Sequence, residues 1–111
     1  MVSEHGIHVF GNLFRCSADL SDEKFIIDVV LDAVKISNSK LIKIASYKFD
    51  GGVSVVAIVA ESHISIHTWS KEKFATVDVY TCGYRTKPEE AFKYIAKMLK
   101  PEIYTKKIEV R

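Results

Sequence analysis

Hydrophobic positions along this chain follow two periods. Ile26, Val29, Val30, Ala33 and Val34 recur at steps of three and four, which places them on one face of an α-helix. Ser21 precedes that run as the expected N-cap, Asp22 and Glu23 suit the positive first turn, and Asn38–Lys40 ends it. Phe92, Ile95, Met98 and Leu99 form a second helical stripe, opened by a capping-box pattern at Thr86-Lys87-Pro88-Glu89 and stopped by Pro101. Elsewhere the period is two or the run is continuous. His5–Phe14 is a weak strand signal, Leu41–Phe49 alternates, and Asp50-Gly51-Gly52 reads as a hairpin connection. Val53–Ala60 is apolar enough to predict a strand buried on both faces. His63–Trp69 alternates strictly, Ser70–Lys73 is a polar turn, and Phe74–Thr81 and Glu102–Val110 supply the last strands.

The order strand, helix, four strands, helix, strand predicts an α+β fold: an antiparallel β-sheet with two helices on one face. An apolar second face would need cover of its own, which predicts a homodimer packed sheet against sheet, a helix/sheet/sheet/helix (αββα) sandwich. A length of 111 residues fits one domain, 1–111, large enough to bury an ordinary core.

Composition narrows the function classes. Apolar residues make up 48% and charged residues 27%, as in a globular protein, and a net charge of +2 gives no basic face for nucleic acid. The longest apolar run, Val55–Ala60, falls far short of the ~20 residues of a membrane helix, and no secretory signal is visible. A cytoplasmic location with Cys16 and Cys82 as free thiols is the expectation. There is no P-loop, no Gly-x-Gly-x-x-Gly and no Cys or His pair at zinc spacing.

Chemistry concentrates in Glu61-Ser62-His63-Ile64-Ser65-Ile66-His67-Thr68-Trp69 and in Val77-Asp78-Val79-Tyr80-Thr81-Cys82-Gly83. On a strand, His63, Ser65, His67 and Trp69 share one face and Ile64, Ile66 and Thr68 the other. His63 and His67 would then stand about 13 Å apart, too far to ligate one metal. Cys82 as nucleophile with His67 as base would suit a hydrolase, but no Gly-x-Ser-x-Gly elbow or orienting carboxylate accompanies them. A satisfied polar strand and a buried thiol fit the same residues.

These two segments, with Gly52-Val53-Ser54 and Pro88-Glu-Glu-Ala-Phe, resemble the prokaryotic S-adenosylmethionine decarboxylases, pyruvoyl-dependent enzymes of polyamine biosynthesis. The resemblance covers nearly the whole chain and implies self-processing between Glu61 and Ser62, giving 1–61 (β chain) and 62–111 (α chain). Ser62 is implied as the precursor of the pyruvoyl group, whose carbonyl condenses with a substrate amine and draws electrons as carbon dioxide leaves. His67 is implied as the proton acceptor in processing, Ser54 as the oxyanion stabiliser, and Cys82 as the proton donor in catalysis. Phe49 and Trp69 are implied at the substrate, and no metal is called for.

The family pattern places a Glu that holds the ribose hydroxyls where this chain has Lys71, within Ser70-Lys71-Glu72. A Lys cannot accept those bonds. Glu72 would take the role after a local shift, or the substrate lacks a ribose. The resembling family has an archaeal branch that decarboxylates arginine, and His-Val-Phe-Gly-Asn-Leu-Phe and Gly-Gly-Val-Ser-Val look archaeal. The expected substrate is S-adenosylmethionine, with arginine or another basic amino acid as the alternative and an unprocessed, non-catalytic paralogue as the third reading. Small members of the family are expected to dimerise and share each active site.

Overall fold

The computed structural model describes residues 6–111. Its elements are β1 (Gly6–Phe14), α1 (Glu23–Ile36), β2 (Lys40–Phe49), β3 (Gly52–Ala60), β4 (Ser62–Trp69), β5 (Phe74–Cys82), α2 (Pro88–Leu99), β6 (Ile103–Tyr104) and β7 (Lys107–Val110). The strands form one antiparallel sheet in the order β2-β3-β4-β5-β1-β6, with β7 also pairing β1. This is the expected α+β architecture. His5, the first residue of the expected opening strand, lies outside the described residues.

The core lies between the sheet and the two helices. Val53, Val55, Ala57 and Val59 of β3, Ile64 and Ile66 of β4, and Val77 and Val79 of β5 are buried with Ile26, Val30 and Ala33 of α1 and Phe92, Ile95 and Leu99 of α2. β3 is therefore buried on one face only in the single chain: Val56 and Ile58 alternate outward and remain exposed. That corrects the expectation of burial on both faces, because a two-layer packing leaves the second side of the sheet bare.

Three local expectations change. Asp22, not Ser21, caps α1, since its carboxylate accepts the Phe25 N–H at 3.1 Å while the Ser21 hydroxyl is engaged by Asp19 at 2.7 Å. The capping box before α2 does not form: Lys87 occupies the cap position without a side-chain bond, and the Thr86 hydroxyl donates instead to the Gly83 carbonyl at 2.8 Å. Pro88 still starts the helix. The last strand divides into β6 and β7 because the Thr105 hydroxyl accepts the Asn12 N–H at 3.1 Å, a side-chain bond in place of a ladder bond.

One buried hydroxyl ties the segment before α1 to the sheet. Thr68 is fully buried; its Oγ1 donates to the Leu20 carbonyl at 2.7 Å and accepts the Val53 N–H at 3.0 Å. Thr68→Val keeps the shape and leaves both backbone groups unpaired, so a loss of about 1–3 kcal/mol is expected in denaturant unfolding.

Candidate active site

The face opposite the helices carries the candidate chemistry. Alternation places His63, Ser65, His67 and Trp69 of β4 there, as expected, with Thr76, Asp78, Tyr80 and Cys82 of β5 beside them. By the same alternation Ser62 belongs with Ile64 on the helix face. Its φ of 108° breaks the pattern, and its Oγ lies 3.6 Å from the Cys82 Sγ. A non-glycine residue held in that region stores roughly 1–3 kcal/mol of backbone strain, a feature found where a turn positions a reacting group. Ser62 and Cys82, 20 residues apart in sequence, form one pair at the end of the sheet.

A second pair stands further along. Ser54 of β3 faces His67 of β4 in register, and His67 Nδ1 lies 2.9 Å from the Ser54 Oγ. This bond fixes the imidazole and gives the hydroxyl a basic partner. Phe49, Asp50, Gly51, Trp69, Lys71 and Glu72 line a third feature, a cleft of about 160 Å³ at the β2–β3 turn. Gly52 leaves room for the Phe49 ring: a Cβ there would meet that ring at 2.5 Å and the Thr68 carbonyl at 2.0 Å. Phe49, Trp69 and Glu72 are thus brought to one cleft, with Lys71 among them.

The three features do not converge within the chain. His67 is about 16 Å along β4 from Ser62, and Trp69 about 23 Å, at a strand's rise per residue. The structure joins Ser62 with Cys82 and Ser54 with His67, and keeps the two pairs apart. Among the described residues no three His, Cys, Asp or Glu side chains gather as a metal site. Sequence reasoning missed Tyr80, His8 and Asp78 on the face that Cys82 shares. Tyr80 was signalled by alternation along β5, whereas the 2.8 Å pair of His8 Nε2 with Asp78 follows only from the β1–β5 register.

The chain is thus a small two-layer α+β domain with a Ser–Cys pair and a Ser–His pair on its bare sheet face. Residues 7–111 match the S-adenosylmethionine decarboxylase family. A protein of Pyrobaculum arsenaticum named S-adenosylmethionine decarboxylase proenzyme is 54% identical over 108 residues, 95% of this chain and 83% of that one. A protein of Hyperthermus butylicus named arginine decarboxylase proenzyme is 50% identical over 103 residues, 89% of this chain and 72% of that one. The crystal structure of the adenosylmethionine decarboxylase from Aquifex aeolicus superposes with a TM-score of 0.86 at 39% identity, covering 94% of this chain and 88% of that one. The chain belongs to the S-adenosylmethionine decarboxylase family, a family of carboxy-lyases.

The two thiols differ in kind. Cys16 is 1% exposed, and burial pushes it up to about 11, while Cys82 is half-buried at the open face. Iodoacetamide at neutral pH is expected to modify Cys82 and spare Cys16 in the folded protein, read by peptide mass mapping; the reverse order would contradict this placement.

Proposed function

We propose that the chain cleaves itself between Glu61 and Ser62 and then decarboxylates S-adenosylmethionine within a homodimer. The observation that carries this reading is the Ser62–Cys82 pair, made by the out-of-step backbone at Ser62. In processing, the Ser62 Oγ attacks the Glu61 carbonyl carbon and the peptide bond gives way to an ester. Removal of the residue-62 α-proton then breaks the Cβ–O bond, freeing the Glu61 carboxylate, and water displaces ammonia from the resulting dehydroalanine. The products are 1–61 and 62–111, the second beginning with a pyruvoyl group.

Ser62 and Cys82 fit that group, because its precursor hydroxyl already stands against the proposed proton donor. A pyruvoyl carbonyl condenses with the substrate amine and accepts electrons as carbon dioxide leaves. Cys82 then holds the proton delivered to the substrate α-carbon. Phe49 and Trp69 offer aromatic surface, and Glu72 a carboxylate, for the remainder of the substrate.

Distance supports the dimer. His67 and Ser54 lie too far from Ser62 of their own chain to take its α-proton or steady its oxyanion. Packing two bare sheet faces about a two-fold axis sets the His67–Ser54 pair and aromatic cleft of one subunit over the Ser62–Cys82 pair of the other. Val56 and Ile58, exposed on that face, supply apolar contact. We place the enzyme in the cytoplasm, in polyamine biosynthesis; no described helix is long and apolar enough to cross a membrane.

Arginine is the second reading, because Lys71 in the cleft cannot accept hydrogen bonds from ribose hydroxyls and the Hyperthermus butylicus relative is named for arginine. Carbon dioxide release from labelled S-adenosylmethionine and arginine, run side by side, decides between them; release from arginine alone would overturn the first reading.

Intact mass is expected to show two fragments split before Ser62, with Ser62→Ala left whole. A persistent 111-residue wild-type chain would instead favour a non-catalytic protein. Sharing is tested by mixing variants. His67→Ala alone should stay uncut, and refolding it with Ser62→Ala should cut the His67→Ala chain, because the partner's imidazole is intact. Failure to cut in confirmed mixed dimers would contradict the shared site.

A further inference from the structure

Cys82 has a neighbour on the side away from Ser62. Gly6 pairs with it across β1 and β5, and on its other side Gly6 exchanges backbone bonds with Arg111, at 2.7 and 2.9 Å. Cys82, Gly6 and Arg111 therefore lie in one row across the sheet. The missing side chain of Gly6 is used: a Cβ there would fall 2.4–2.8 Å from the Cε1, hydroxyl and Cζ atoms of Tyr80. The Tyr80 ring leans out of its own row to fill the place a side chain at position 6 would occupy. Cys82 faces that place across the β1–β5 pair, where facing Cβ positions are about 4.5–5.5 Å apart, so the phenol hydroxyl reaches into the row that Cys82 occupies.

Arg111 completes the arrangement, with its Cζ 5.0 Å from the Tyr80 ring centroid, a cation–π contact. His8 and His63 meet the same ring edge-on at 5.7 and 5.9 Å and hold it in place. The ion pairs among the described residues are His8–Asp78, Arg15–Glu102, Lys24–Asp28 and Lys106–Glu89, so none of those carboxylates occupies Arg111.

We propose that Arg111, seated on Tyr80 and aided by its hydroxyl, receives the α-carboxylate of the substrate. This rests on the reading of Ser62 and Cys82 as the reacting end of the site. The carbon that Cys82 protonates is the carbon that carbon dioxide leaves, so before the bond breaks the carboxylate lies beside the thiol. A guanidinium offers the two parallel donors a carboxylate takes. S-adenosylmethionine and arginine both carry an α-amino carboxylate, so this subsite does not choose between them. It separates amino-acid substrate from amine product, binding the first and releasing the second.

A contact held equally in the bound substrate and the transition state, and lost only once carbon dioxide has left, contributes to binding rather than to the chemical step. Arg111→Gln, cleaved normally by intact mass, is expected to raise KM about tenfold with kcat within about twofold of wild type. Calorimetric affinity for the decarboxylated product should be unchanged, and Tyr80→Phe should show the same pattern more weakly. An unchanged KM, an equal loss of affinity for substrate and product, or blocked self-cleavage in Arg111→Gln would each overturn the assignment. Wild-type chain that fails to cleave or to release carbon dioxide would overturn the underlying function instead, so the two failures are distinct.

Discussion

Along β4 each residue advances the chain by about 3.3 Å, and neither a rotamer nor a loop can shorten that interval. Ser62 and His67 share the strand and the open face, yet stand about 16 Å apart because five residues separate them. The register with β3 and β5 then fixes their partners, giving His67 to Ser54 and bringing Ser62 to Cys82. The Ser62–Cys82 and Ser54–His67 pairs are thus held by the sheet, and held apart. The homodimer proposed above would reunite them without moving any strand.

The same constraint explains the division of labour between the faces. Ile64, Ile66 and Thr68 commit one side of β4 to the helices, which frees the other side for His63, Ser65 and His67. An open sheet face bearing Val56 and Ile58 beside polar groups has apolar surface to bury and chemistry to shelter. The proposed sheet-on-sheet pairing would meet both needs, because the layer that excludes water from the site would also supply its missing residues. Small size is therefore no obstacle to catalysis: neither a dinucleotide loop nor a metal centre has to fit within one chain.

Much of this was legible from periodicity. The stripes at Ile26–Val34 and Phe92–Leu99 placed both helices, and alternation along His63–Trp69 separated core from open face. What periodicity could not reach were choices made by competition among local hydrogen bonds. Asp22 displaced Ser21 as the cap because Asp19 engages the Ser21 hydroxyl, and Thr86 turned to Gly83 instead of opening a capping box. Ser62 itself was found through motif resemblance; its reversal onto the open face is a backbone property that alternation predicts wrongly. The seating of Arg111 on Tyr80 depended on pairings distant in sequence, Gly6 with Cys82 and Gly6 with Arg111.

The proposed sharing of the site between two chains would make self-cleavage depend on their association. The most direct measurement is the cleavage rate of freshly refolded chain across a wide dilution series, with mass in solution followed by light scattering at each concentration. Cleavage is expected to track the dimer and to stop where the chain is monomeric. Cleavage at full rate in a monomeric chain would contradict the shared site.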